Sequence, residues 1–144
     1  MNRTQETAIM PPANAGNAIA RPRIFVLKDD PTRSLNVIDT CRELGCDIVG
    51  PERNLSPHVM ELASNAHVDV AVVQLVLQNT SCDPVIWAFL DRGVPVLICS
   101  ALMANAVRRT YPGAEVLRER YSREELCLAL NRLLLSSERS RALA

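Results

Sequence analysis

The chain is poor in several residues that specialised chemistry depends on. Its formal net charge is zero, from 16 basic and 16 acidic side chains, so it lacks the broad positive field that non-specific nucleic-acid binding requires. No local patch replaces that field, and nucleic acid is not an expected partner. The cysteines at 41, 46, 82, 99 and 127 form no paired framework, and with only His58 and His67 beside them they make no cluster at zinc-finger spacing. Reduced, mostly buried thiols are the expectation. Charges or prolines interrupt every hydrophobic stretch before the roughly 18 residues of a membrane span, so no membrane partner is expected and the protein is read as soluble. The opening MNRTQETAIMPPANAGNAIA has no continuous apolar core of signal-peptide length. Residues 1–21 are read as a disordered extension, 22–135 as one domain and 136–144 as a C-terminal tail, with a bacterial-type cytoplasmic location.

What the chain does have is a 48% hydrophobic content arranged in a regular alternation, enough for one core. Short apolar runs, Ile24 to Leu27, Asp47 to Val49, Val68 to Val73, Val94 to Cys99 and Glu115 to Leu117, read as strands. Segments of helical period separate them. Asp30 caps the first helix ahead of Pro31, with Leu35, Ile38, Cys41 and Leu44 as its apolar stripe and Gly45 as its stop. Ser56 and Pro57 repeat that signal before Val59, Met60, Leu62 and Ala63. The stretch Gln78 to Asp83 reads as a polar loop, and the Asp83-Pro84 step opens a third helix through Ile86, Trp87, Phe89 and Leu90. A fourth helix is placed near Leu102 to Arg109. Ser122 and Glu125 form a capping box, after which Leu126, Ala129, Leu130, Leu133 and Leu134 supply a buried face. Five β-α units with short right-handed crossovers predict an α/β fold of flavodoxin-like type, a five-stranded parallel sheet in order 2-1-3-4-5 between two helical layers.

In such a sheet reactive groups collect beyond the carboxyl ends of the strands. Those positions hold Lys28, Asp29 and Asp30, then Gln74, Ser100 and Glu119. RIFVLKDDP, ELGCDIVGP, VDVAVVQLVL, RGVPVLICSA and EVLRERYSREEL, in that order across about residues 23–135, resemble the receiver domain of two-component response regulators. That resemblance implies a pocket of adjacent acids after strand one that hold Mg²⁺, a phosphoacceptor aspartate ending strand three, a Ser or Thr after strand four, and a Lys followed by Pro after strand five. Here the first acid is Lys28, and the second is Asp29, with Asp30 beyond it. The acceptor is Gln74, the hydroxyl is kept as Ser100, the Lys is Glu119 and the Pro is Arg120.

An amide is no carboxylate nucleophile, so Gln74 forms no acyl phosphate. With two of three carboxylates replaced by an ammonium and an amide, the hard-oxygen shell that Mg²⁺ demands is broken, and neither a metal nor another cofactor is expected. Lys28 and Glu119 have exchanged charge signs relative to the family. An ion pair from Lys28 to Glu119 or to Asp29 would lock the pocket; otherwise both side chains extend into solvent. Arg120 should follow a trans bond, because cis peptides are essentially a proline phenomenon. Val116 replaces the family's aromatic relay residue on strand five and reads as core.

Other candidates have plain readings. Asp30 is a cap before it is a ligand, Cys99 and Ser100 have no histidine base at the strand ends, Cys41 and Cys46 are buried rather than ligating, and His58 and His67 are surface groups. Leu102, Arg108, Arg109, Arg118, Arg120 and Arg123 make up the best partner surface, on the face of the fourth helix, fifth strand and fifth helix that receivers commonly use. The expected function is a stand-alone, non-enzymatic pseudo-receiver in bacterial signalling, acting by phosphorylation-independent contact with a protein partner, a histidine kinase or another signalling protein, or with itself as a homodimer. The alternatives are a phosphorelay receiver that accepts phosphate at Asp29 or Asp30, and a small-ligand sensor using the altered pocket.

Overall fold

A computed structural model describes residues 21–143. The extension expected over residues 1–21 therefore lies, apart from Arg21, outside the described residues. The elements run β1 (Arg23–Leu27), α1 (Pro31–Glu43), β2 (Asp47–Glu52), α2 (Pro57–Asn65), β3 (Val70–Gln74), β4 (Val76–Leu77), β5 (Thr80–Ser81), α3 (Asp83–Asp91), β6 (Val96–Ser100), α4 (Ala104–Thr110), β7 (Glu115–Arg118) and α5 (Arg123–Leu143). Five strands pair in parallel in the order β2-β1-β3-β6-β7, while β4 and β5 form a separate antiparallel hairpin. The expected flavodoxin-like order is present, since β6 and β7 are the fourth and fifth strands of the main sheet.

Alternation along the central strands divides the core in two. Phe25, Leu27, Ala71, Val73, Val96 and Ile98 face α2, α3 and α4, where they meet Val59, Ala63, Ile86, Phe89 and Val107. Ile24, Val26, Val70, Val72, Leu97 and Cys99 face α1 and α5, against Val37, Cys41, Leu126, Leu130 and Leu133. Both sheet faces are covered, which is why the strands read as continuous apolar runs.

The helix signals place the strand ends. Asp30 caps α1 by accepting from the backbone N–H of Thr32 (2.8 Å) and Arg33 (3.2 Å), and Ser56 caps α2 through Val59 N–H. At the start of α5 the Ser122 hydroxyl accepts from Glu125 N–H (3.0 Å) while the Glu125 carboxylate accepts from Ser122 N–H (2.8 Å), the reciprocal box the sequence spells out.

Three expectations are corrected. Leu35 is 58% exposed, and α1 buries Ser34, Val37, Ile38, Thr40 and Cys41, a face rotated from the expected stripe. Polar Ser34 and Thr40 concealed that face; the Thr40 hydroxyl is satisfied by the Asn36 carbonyl at 2.9 Å. On α3, which runs through Trp87 as expected, that side chain is 38% exposed with its ring 5.5 Å from that of Tyr111. The polar loop after β3 contains the β4–β5 hairpin. Residues 136–143 do not form a tail: α5 continues through them to Leu143, and Ser137 is buried.

Candidate functional site at the strand ends

Lys28 follows the last residue of β1 and is completely buried, an unusual place for an ammonium group. Three neighbours account for it. Its Nζ lies 3.4 Å from Glu119 Oε1 and sits over the Tyr121 ring at 5.6 Å from the centroid, while its backbone N–H donates to the Glu52 carbonyl at 3.1 Å. Glu119 is held in turn by Arg33, whose guanidinium reaches Oε2 at 3.1 Å. One carboxylate thus bridges two cations and joins the end of β1, the first turn of α1 and the loop after β7. Of the two partners open to Lys28, Glu119 is the one it takes.

Gln74, the last residue of β3, uses both ends of its amide. Oε1 accepts from Asp29 N–H at 3.3 Å, and Nε2 donates to the Val76 carbonyl at 2.8 Å. These two bonds also assign the amide orientation, because the reverse would set oxygen against the Val76 carbonyl and N–H against N–H. Ser100, closing β6, is buried; its hydroxyl oxygen accepts from Leu102 N–H at 2.9 Å and its carbonyl from Glu119 N–H at 2.7 Å.

Burial raises the thiol pKa of Cys99 beside this cluster, an effect that Lys28 opposes and Glu119 reinforces. Tyr121 is pushed up too, first by burial and then by Cys99 and Glu119. Neither is a nucleophile or base at neutral pH. Among the described residues no group of three or more His, Cys, Asp or Glu side chains converges as a metal site. At the strand ends Asp29 is the single acid left in the ligand positions, with an ammonium and an engaged amide in the other two. That set does not fit Mg²⁺.

Between these groups and the β4–β5 hairpin lies a cavity of about 320 Å³, whose lining includes Arg33, Gln74, Ser100 and Glu119 together with Leu75, Val76 and Leu102. The sequence reading names Lys28, Asp29, Asp30, Gln74, Ser100 and Glu119, and five of these come together. Asp30 is spent on its helix cap. Arg33, Tyr121 and the Val76 carbonyl went unnamed; Arg33 was findable, since it lies three residues beyond the cap and hence in the first turn of α1, above the strand ends.

The partner-surface residues divide. Arg108 and Arg109 end α4, Arg118 ends β7 in register with Ser100, and Arg120 follows, all exposed, with Leu102 57% exposed nearby. Arg123 instead pairs with Glu43 on α1 and belongs to the opposite helical layer. The Glu119-Arg120 bond is trans, Gly50-Pro51 being the cis bond among the described residues, and Arg120 has a φ of 70°. Val116 is core at 4% exposure. The ring nitrogens of His58 and His67 lie 3.9 Å from Glu52 and 3.7 Å from Asp69, and both histidine side chains are exposed.

No family model matches the sequence, and no curated protein matches it significantly. Solved structures do. The chain superposes with a TM-score of 0.69 on a response regulator receiver protein from Sinorhizobium medicae WSM419, at 18% identity over 81% of this chain and 97% of that one. A CheY-like response regulator receiver domain protein from Methanospirillum hungatei JF-1 gives 0.70 at 14% identity over 84% and 99%. The signal receiver domain of a Luxo repressor protein from Vibrio parahaemolyticus gives 0.72 at 15% over 86% and 98%. The fold is the receiver fold. In a receiver fold the crevice beyond β1, β3 and β6 is the topological switch point, and here it holds the Lys28, Glu119 and Arg33 cluster. Among the described residues no helix is long and apolar enough to cross a membrane.

Proposed function

We propose that the chain is a pseudo-receiver, a bacterial signalling module that works by protein–protein contact without phosphorylation. The observation that carries this reading is Gln74. It stands where a phosphoacceptor carboxylate would be, and both ends of its amide are consumed in bonds to Asp29 and Val76. A neutral amide is not a carboxylate nucleophile, and an ammonium, one carboxylate and an amide do not offer the hard-oxygen shell that Mg²⁺ prefers. Lys28 supplies positive charge from within the fold, permanently, where a receiver would acquire a cation on demand.

With no phosphorylation to couple to, the module's output is its surface. Leu102, Arg108, Arg109, Arg118 and Arg120 form an exposed basic and apolar face for a histidine kinase, another signalling protein, or a second copy. Incubation of the full chain with Mg²⁺ and acetyl phosphate, followed by intact mass measurement, tests the reading: the mass should not change. A stoichiometric phosphate adduct that disappears in D29N or D30N would overturn it in favour of an unorthodox acceptor.

A further inference from the structure

The cavity at the strand ends does not stop at Leu102. A second hollow of about 280 Å³ shares Leu75, Val76 and Leu102 with it and runs on along α4 past Val107 to Tyr111. Together they make one groove between the hairpin and α4, polar at the Ser100 end and mostly apolar beyond it, with Ser81 and Thr110 also in its lining. Its combined size falls in the range of about 300–1,000 Å³ typical of small-molecule sites.

The hydrogen-bonding state of the polar end selects a ligand. Both Glu119 oxygens are taken by cations, and Gln74 Oε1 is taken by Asp29 N–H. What remains are donors. The Ser100 hydroxyl accepts from Leu102 N–H and has no acceptor for its own proton among the described residues, although the residue is 3% exposed. Gln74 Nε2 has used one N–H of two, on Val76, and Arg33 has used one guanidinium nitrogen, on Glu119, with its side chain 47% exposed at the mouth. Lys28 and Arg33 balance Glu119 and Asp29 overall, and Arg33 is the charged donor that lines the cavity. A group that uses these donors accepts hydrogen bonds, and a negative charge on it meets the Arg33 guanidinium. Its body must be apolar to lie against Leu75, Val76, Leu102 and Val107.

We propose that this groove binds a small apolar carboxylic acid, with its carboxylate at Ser100, Gln74 and Arg33 and its hydrocarbon body along α4. The site shares Leu102 with the face offered for partner docking but uses none of that face's arginines, and its occupancy is read independently of any phosphorylation assay. Placed between α1, the hairpin and α4, such a ligand would tie together three elements that frame the strand ends.

Octanoate is a suitable probe, with octan-1-ol as its uncharged counterpart and inorganic phosphate as a bare anion, each titrated into the full chain with calorimetry and amide chemical shifts as readouts. Octanoate should bind saturably and move the amides of residues 74–76 and 100–107, with octan-1-ol and phosphate each at least about tenfold weaker. Leu102→Asp, at an exposed rim position, should leave the unliganded melting temperature unchanged and weaken octanoate at least about tenfold by burying a second carboxylate beside the chain. Arg33→Gln should weaken octanoate while leaving octan-1-ol untouched. Absence of saturable binding up to about 10 mM, octan-1-ol binding as tightly as octanoate, or full affinity in Leu102→Asp would each overturn the proposal.

Discussion

Lys28, a fully buried ammonium group, makes a large electrostatic demand. Desolvating an ammonium costs several kcal/mol, and its pairing with Glu119 is what makes burial tolerable. The two partners are therefore unequal. Glu119→Ala strands a buried cation and should lower unfolding free energy by about 3 kcal/mol, whereas Lys28→Met removes the charge, keeps the volume and leaves Glu119 with Arg33, so it should stay within about 1 kcal/mol of the parent. Urea denaturation of both variants measures the difference; equal losses would show that the ion pair, rather than the isolated charge, dominates. The thiols make a second residue-scale demand. Burial pushes Cys41 and Cys82 from an ordinary 9.0 up to about 12, with Cys46 and Asp29 adding to the respective shifts. The raised pKa values mean that the unfolded chain loses these protons first. Stability from the two groups is complete below about pH 9 and falls as pH rises toward 12, by up to roughly 1.4 kcal/mol per pH unit for each thiol. Denaturation midpoints should be flat from pH 7 to 8.5 and decline above 9, and C41A/C82A should decline less steeply; a parent midpoint constant to pH 11 would contradict the burial argument.

Elements were legible where one local signal and one periodicity agreed. The caps at Asp30, Ser56 and Ser122 are each a residue type at a spacing, and each makes the bonds it announces. The face of α1 was misjudged because Ser34 and Thr40, polar by composition, are buried by position. The hairpin was missed for a related reason. Gln78 and Asn79 join β4 to β5 with φ values of 49° and 66°, the paired left-handed conformation of a tight two-residue turn. Asn-Gly would have signalled that turn, and Gln-Asn reads as generic polar loop. The strain is correspondingly open to relief: Gln78→Asn with Asn79→Gly should raise stability by about 0.5–1 kcal/mol, read from the urea midpoint, and an unchanged midpoint would mean that the turn is not strained.

At the scale of the whole molecule, the positions of the strand ends were legible, while the way their charges are satisfied was not, because pairing depends on which side chains the fold brings face to face. Lys28 could have met Asp29, its neighbour in sequence, or Glu119, 91 residues away, and the fold selects the distant one. On the proposed reading, the barrier to phosphorylation is therefore distributed over several residues. Gln74→Asp alone supplies a carboxylate but leaves Lys28 paired with Glu119, and it forfeits the amide bond to the Val76 carbonyl. It should remain almost unmodified by acetyl phosphate and Mg²⁺ in an intact-mass assay. K28D/Q74D/E119K rebuilds three acids and one lysine in the receiver arrangement, removes the competing Lys28 ammonium and frees Arg33 from Glu119. If it keeps its circular dichroism spectrum, it should acquire a phosphate adduct that requires Mg²⁺. Stoichiometric modification of the single variant would show that the charge exchange between Lys28 and Glu119 is no barrier, and that Gln74 by itself holds the pocket silent.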